Sequence, residues 1–220
     1  MKSTPLTAAT CRICLVRHGE TAWNVERRLQ GHLDIPLNTV GQRQAEAAAA
    51  NLERTPFAAF YSSDLTRTRE TAATVARPHG LAVRPEPRLR ERHYGAFQGL
   101  TYAEAARLHP DTYRLFVARD TEFSFPGGGE SLNTFAARVR AALEDIAARH
   151  RGEQVLVVTH GGVLDVVHRI ASSTDLRAPR DFALPNAALN WIEHTAGAWR
   201  MLRWADQTHL VEARDELPNA

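Results

Sequence analysis

Apolar positions along the chain follow two periods. Ile13, Cys14, Leu15 and Val16 form a continuous apolar run, and Arg12–Val16 is predicted to be a strand buried on both faces. Val155-Leu156-Val157-Val158 is a second such run, inside a predicted strand Gln154–Thr159. Shorter strands are predicted at Phe57–Tyr61 and Leu81–Arg84. A last pair, Ala188–Glu193 and Trp199–Trp204, reads as a hairpin around Ala196-Gly197. Helical spacing fills the intervals. Ala45, Ala48, Ala49 and Leu52 mark a helix that starts at Asn38 or Thr39 and runs to about Arg54, with Gln42 placed to complete a capping box with Thr39. Leu65–Ala76 comes after the N-cap candidates Ser62-Ser63-Asp64 and stops at Pro78 and Gly80. Phe135, Val139, Leu143 and Ile146 share one face of a long helix capped by Ser131 and ending near His150. A further helix is predicted from Val163 to about Ala171. Between Pro85 and Glu130 the pattern loosens. Two short helices, Tyr102–Leu108 and Asp111–Arg119, are split at Pro110, and Pro126-Gly127-Gly128-Gly129 is a flexible loop.

Strands alternating with helices predict an α/β fold. The expectation is a three-layer sandwich with a mostly parallel central sheet, helices on both faces and a small helical lid inserted at about 92–130. No linker or repeat divides the chain, so residues 1–220 are expected to form a single domain with a substantial core. Met1–Thr10 is expected to be a short mobile tail, and Gln207–Ala220 carries no assignable pattern. No apolar run approaches the ~20 residues that span a bilayer, and Met1–Thr10 lacks the apolar core of a signal peptide. A cytoplasmic protein with no membrane partner is expected.

Composition sharpens this in three places. A net charge of +2 is too small to argue for nucleic acid as a partner. Lys2 is the only lysine in the chain, so any cation inside the fold is an arginine or a histidine. Cys11 and Cys14 form a C-x-x-C pair, which raises a zinc or redox reading. A zinc site wants four ligands and no second cysteine pair exists, and the spacing puts the two thiols on opposite faces of a strand. Small core residues are the expected role.

Three predicted strand ends carry chemistry-bearing residues. Arg17-His18-Gly19 comes after the first strand, Ser62-Ser63-Asp64 and then Arg67 after the second, and His160-Gly161-Gly162 after the Val155 strand. In an open α/β sheet, ligands bind outside the carboxyl ends of strands. Two arginines, two histidines and helix amino ends gathered there suit a phosphoryl group, whose charge is spread over several oxygens. Each residue has a structural alternative. A histidine beside glycine can simply satisfy backbone groups. Arg67 shares its helix with Arg69, and Glu91 stands between Arg90 and Arg92 as a plain ion-pair partner would.

Arg17-His18-Gly19-Glu20-Thr21 followed by Trp23-Asn24 resembles the opening motif of the histidine phosphatase superfamily, which includes the phosphoglycerate mutases. Ser63-Asp64-Leu65 with Arg67, Glu91-Arg92-His93-Tyr94-Gly95, Gly128-Gly129-Glu130-Ser131 and Thr159-His160-Gly161 are similar to its later motifs, in the same order, over roughly residues 12–193. The resemblance implies that His18 attacks phosphorus and becomes phosphorylated. Its other ring nitrogen would donate to a backbone carbonyl. Arg17 and Arg67 would grip the phosphoryl oxygens, a protonated His160 would add a donor, and Glu91 would serve as general acid and then general base. Asn24, Gln30, Gly31, Tyr94 and Gly161 match substrate-contacting positions, although loop structure explains several of them almost as well. Glu20 and Thr21 are expected to brace the turn. No metal is implied.

Within the family, the mutases use a lysine some ten residues past the glutamate, and an arginine pair beyond it. Tyr102 stands in the lysine's place, and no Arg-Arg pair occurs between Gly95 and Glu130. Gly99-Leu100-Thr101-Tyr102 and the Pro126–Ser131 stretch resemble the broad-specificity phosphatase branch, whereas Glu91–Gly95 leans toward the mutases. The expected activity is therefore phosphomonoester hydrolysis on a small-molecule phosphate ester. A phosphoglycerate mutase using 2,3-bisphosphoglycerate as cofactor is the alternative, and a non-catalytic phosphoprotein-binding module is a remote one. The lid aromatics Phe97, Tyr102, Tyr113, Phe116, Phe123 and Phe125 would roof a pocket or pack a lid core. A homodimer is left open.

Overall fold

Along β1 (Thr10–Arg17), successive side chains enter different cores. Cys11, Ile13 and Leu15 join one apolar cluster, and Cys14 and Val16 join another. The same division runs through β4 (Gln154–Thr159), where Val155 and Val157 face the first cluster and Leu156 and Val158 the second. This is the period of two expected of strands buried on both faces. The two cysteines are free and buried, and burial pushes the Cys11 thiol up to about 12, so both are core residues.

The computed structural model describes residues 8–211. The expected amino-terminal tail lies outside them up to residue 7, and Thr10 already belongs to β1. The unassigned end of the chain lies outside them from residue 212. The described strands form one mixed sheet in the order β3-β2-β4-β1-β5-β6, with β2 at Ala59–Ser62, β3 at Val83–Pro85, β5 at Leu189–Thr195 and β6 at Ala198–Asp206. The first four strands in that sheet are parallel, and β5 and β6 add as an antiparallel pair beside β1. α2 (Thr39–Leu52) and α3 (Thr66–Ala76) cover one face, while α6 (Leu132–Arg149) and α7 (Gly161–Ser172) cover the other. The short α1 (Ala22–Val25) comes after β1. α6 buries Phe135, Val139, Leu143 and Ile146, the face expected from its spacing; each such side chain stabilises by about 1.5–3 kcal/mol. α4 (Tyr102–Leu108) and α5 (Pro110–Val117) form the helical insertion, with a core of their own in which Phe97 and Phe125 are buried. No helix among the described residues is long and apolar enough to cross a membrane.

Several local expectations change. Asn38, not Thr39, caps α2 by accepting from the Gly41 amide, so the Thr39–Gln42 capping box does not form. The amino end of α3 takes its cap from a distance. Leu65 occupies the cap position with no side-chain bond, and the Asp34 carboxylate accepts from both the amide and the hydroxyl of Thr66. Asp34 lies thirty-two residues away in sequence, beyond any local signal. α7 begins at Gly161, earlier than expected, because both glycines enter the helix.

β1 ends where two backbones touch. Glu20 is braced by Gln44 and Asn38, through Glu20 N–H to Gln44 Oε1 at 2.8 Å and Asn38 Nδ2 to Glu20 Oε1 at 2.9 Å. Gly41 sits so close that a Cβ there would overlap the Glu20 carbonyl oxygen. Overpacking against backbone costs about 1–3 kcal/mol. Gly41→Ala is therefore expected to lower the midpoint of urea unfolding by that equivalent, and an unchanged midpoint would contradict the contact.

Candidate active site

The carboxyl ends of β1 and β4 lie side by side, and the residue after each is a histidine. His18 donates its amide to Thr159 O at 2.9 Å, which locks the two strand ends in register. The His18 carbonyl accepts from Asn186 Nδ2 at 3.0 Å, and the Arg17 carbonyl accepts from the Ala187 amide at 3.0 Å. The turn that carries His18 is thus held from both sides, and the histidine itself is buried.

The ring of His18 is oriented by its own turn. Nδ1 lies 2.8 Å from Gly19 O. A carbonyl only accepts, so Nδ1 carries the proton and Nε2 presents its lone pair. Burial, followed by the nearby Arg67 and Arg17 charges, drives the His18 pKa well below the ordinary histidine value. The His160 ring lies 5.3 Å away, edge-on. Its Nε2 contacts Ser63 Oγ at 2.9 Å, which ties the end of β4 to the end of β2. His160 Nδ1 is buried and has no hydrogen-bond partner among the described residues. Burial, Arg67 and His18 also hold the His160 pKa well below the ordinary value. Burial first, and the Arg67 charge next, thus disfavour the protonated ring that the sequence reading expects at His160.

Arg17 and Arg67 are both fully enclosed. Arg17 Nη1 donates to Leu184 O at 2.5 Å. Arg67 donates through Nη1 to Leu33 O at 2.9 Å and through Nη2 to Gly31 O at 2.8 Å, and its Nε has no partner among the described residues. Burial lowers the Arg67 pKa to about 10, so it stays charged at neutral pH. Holding the Arg67 guanidinium by carbonyls keeps its positive charge available to an anion.

Glu91 completes the group. Its Oε1 accepts from the Arg92 amide at 2.8 Å and its Oε2 from the Gly162 amide at 2.9 Å. Burial raises its pKa, outweighing the two amides and the charges of Arg67 and Arg17. A Cβ on Gly162 would overlap the carboxylate, so the second glycine after His160 makes room for Glu91. The chain around Glu91 is fixed by Arg138, which sequence reasoning missed, and by the motif residues Asp64 and Glu130. Arg138 on α6 donates to the carbonyls of Arg88, Arg90 and Glu91 and to the Glu130 carboxylate. Asp64 takes a forked pair from Arg90 at 2.6 Å per bond. The segment Leu184–Ala187, which supports Arg17 and His18, carried no sequence signal either, because it contributes mainly carbonyls and one amide side chain.

The expected contact residues divide. Asn24 Oδ1 accepts from the Thr21 amide and hydroxyl, closing a capping box on α1, so its side-chain oxygen is committed to the fold. Gly31 stands behind Arg67 as a carbonyl. Gln30 Oε1 is buried with no hydrogen-bond partner among the described residues. Tyr94 is buried against Phe116 and Phe125 and borders a cavity of about 70 Å³ that Gly162 and Leu184 also line, beside Glu91 and Arg17. Gly161 starts α7, whose amino end faces this region. No group of three His, Cys, Asp or Glu side chains among the described residues is arranged to hold a metal ion.

Adjoining parallel strand ends that gather two histidines and two enclosed arginines suit the handling of a phosphoryl group. Residues 13–207 match the family described as the histidine phosphatase superfamily, branch 1. The chain is 41% identical over 203 residues to phosphoglycerate mutase-like protein 4 of Arabidopsis thaliana, covering 91% of this chain and 87% of that protein. It is 42% identical over 205 residues to the metal-independent phosphoserine phosphatase of the same plant, covering 90% and 82%. A solved mycobacterial glucosyl-3-phosphoglycerate phosphatase superposes with a TM-score of 0.78 at 33% identity, over 89% of this chain and 99% of that one. The chain belongs to the histidine phosphatase superfamily and is an enzyme of the hydrolase kind.

The ring environments make a direct prediction. In a histidine-selective 15N NMR titration, His18 and His160 are expected to stay neutral through the pH range where exposed histidines protonate. Titration of either at the ordinary value of 6.5 would contradict the burial effect.

Proposed function

We propose that the enzyme hydrolyses phosphomonoesters of small molecules through a phosphohistidine on His18, with Glu91 as acid and base. One observation carries the reading: the Nδ1 contact to Gly19 O, which leaves Nε2 of a neutral, buried histidine as the free lone pair among arginines. Nε2 attacks phosphorus and the P–O bond to the alcohol breaks. Glu91, whose raised pKa favours the acid form, gives its proton to the departing oxygen. Glu91 then takes a proton from water as the water oxygen bonds to phosphorus. The P–N bond breaks, its electrons return to Nε2, and inorganic phosphate leaves.

Arg17 and Arg67 stabilise the charge on the transferring group, with Arg67 Nε still unused. His160 Nδ1 is a further buried group without a partner among the described residues, and the negative charge of a bound phosphoryl group offsets the burial and the Arg67 charge that lower the ring's pKa. The amino end of α7 at Gly161 adds a favourable dipole, and Gln30 supplies a polar contact to substrate. The arginines take the part a metal would otherwise play, so none is required. We place the enzyme in the cytoplasm. A mutase activity is the second reading, because a relative of 41% identity carries a mutase-like name. Tyr102, where the mutases have lysine, stacks on Phe116 in the lid and offers no charge to a second phosphate.

The test is a comparison of phosphate release with isomerisation. Given 3-phosphoglycerate with and without 2,3-bisphosphoglycerate, the enzyme is expected to release inorganic phosphate; rapid bisphosphoglycerate-dependent isomerisation would overturn the reading. Because the His18 pKa is lowered, the nucleophile is lost only as pH falls through that depressed value. Because the Glu91 pKa is raised, the acid is lost as pH rises through its own. Glu91→Gln should remove the alkaline limb and slow esters of poor leaving groups by about 10²–10⁴-fold, with far smaller loss on aryl phosphates. Equal losses on both would argue against a leaving-group acid.

A further inference from the structure

His160 is fastened through one ring nitrogen and unpartnered at the other. Nε2 lies 2.9 Å from Ser63 Oγ, and Nδ1 is buried with no hydrogen-bond partner among the described residues. Burial, and after it Arg67, His18, Arg138 and His32, disfavours protons on both nitrogens at once. A neutral imidazole donates from one nitrogen and accepts at the other, so its tautomer decides what Nδ1 can offer. Ser63 is placed to settle that choice. It is fully buried and its backbone is committed. Its amide donates to Val158 O at 3.1 Å, and its carbonyl accepts from the Ser62 and Thr68 hydroxyls at 2.5 and 2.9 Å. Its own hydroxyl oxygen accepts from the Leu65 amide at 3.4 Å. Among the described residues, the one acceptor within hydrogen-bond reach of the Ser63 hydroxyl proton is His160 Nε2.

We propose that Ser63 is a positioning residue: it donates to His160 Nε2 and so fixes the ring as its Nδ1–H tautomer, which makes His160 a neutral hydrogen-bond donor to the transferring phosphoryl group. What that donor meets rests on the phosphohistidine reading; the tautomer rests on hydrogen-bond pairing alone. In this tautomer the hydroxyl proton, the Leu65 amide and Nε2 are all paired, and only Nδ1–H lacks an acceptor. In the opposite tautomer the Nε2 proton would fall on Ser63 Oγ. The hydroxyl proton and the Nδ1 lone pair would then both be buried and unmatched. A phosphoryl oxygen completes the first arrangement, because it accepts. In the second it would face another lone pair. The two histidines, whose rings stand 5.3 Å apart, thus divide the work. His18 is tied down through its N–H, by Gly19 O, and keeps a lone pair. His160 is tied down through its lone pair, by Ser63, and keeps an N–H. Neither ring needs a charge for its part, so no further cation is forced against buried Arg67.

Long-range 1H–15N NMR on the full-length, histidine-labelled protein distinguishes protonated from bare ring nitrogens, with the His160 signals assigned by their loss in His160→Asn. At neutral pH the wild type is expected to carry the His160 proton on Nδ1, with Nε2 bare. That spectrum is decisive without any variant of Ser63: a proton on Nε2, alone or together with one on Nδ1, overturns the assignment. Inorganic phosphate added to the wild type should shift the His160 Nδ1 resonance, and saturation with no shift there overturns its role as a phosphoryl donor. In Ser63→Ala the Nε2–H form should gain population, a change that loosened packing alone would not give. An unmoved tautomer in that variant overturns the role of Ser63. Phosphate release from p-nitrophenyl phosphate by Ser63→Ala should fall roughly three- to tenfold in kcat, with KM moved less, because the donor acts where charge accumulates on the phosphoryl oxygens. If no ester is hydrolysed and the wild type still holds the Nδ1–H form, the phosphatase reading fails and the tautomer assignment stands. If esters are hydrolysed while His160 carries its proton on Nε2, the assignment fails and the phosphatase reading stands.

Discussion

The hydrogen bond from His18 Nδ1 to the carbonyl of Gly19 decides what the site can do. Without it, a buried imidazole between arginines would have two nitrogens of equal standing. With it, one nitrogen is fixed as a donor and the other is fixed as a base. The bond exists because the chain turns immediately after β1 and its turn is held from three sides: by Thr159 at the end of β4, by Asn186 before β5, and by Thr71 of α3 on the Gly19 amide. The sheet order makes this meeting necessary. β1 lies between β4 and β5, so the turn leaving β1 meets both the carboxyl end of β4 and the segment leading into β5.

The surrounding charges set a second constraint. Arg17 and Arg67 are buried with backbone carbonyls among their hydrogen-bond acceptors. Such an arrangement opposes folding, and the apolar clusters on both faces of the sheet offset it. Glu91 is a carboxylate that faces both arginines, and burial biases it toward its acid form. The same tension recurs next door, where the lid and the segment before β5 gather arginines around Asp165.

Much of this is legible in the sequence. Period-two burial identifies β1 and β4, and the residues after predicted strand ends identify His18, Arg67 and His160 as neighbours. The match of several short motifs in order identifies the superfamily. The motifs also contain residues whose work is purely structural: Asp64 grips Arg90, and Glu130 grips Arg138 and the His93 amide, so both fix the segment bearing Glu91. The parts that escape are assembled from carbonyls or from distant positions. Leu184, Asn186 and Arg138 show no local pattern. Arg119 and Arg180 look like unrelated surface arginines in a chain rich in them. The lowered pKa of His160 is hidden as well, because burial and the distance to Arg67 are not revealed by spacing.

Nε2 of His18 is the atom proposed to take the phosphoryl group, and the rest of the mechanism depends on it. The most direct test is to quench the enzyme in alkali during turnover of a 32P-labelled phosphomonoester and to identify the labelled residue and ring nitrogen. Phosphohistidine on His18, attached at Nε2, is expected, with no label in His18→Ala. Label at Nδ1, on His160 or on a carboxylate would contradict it.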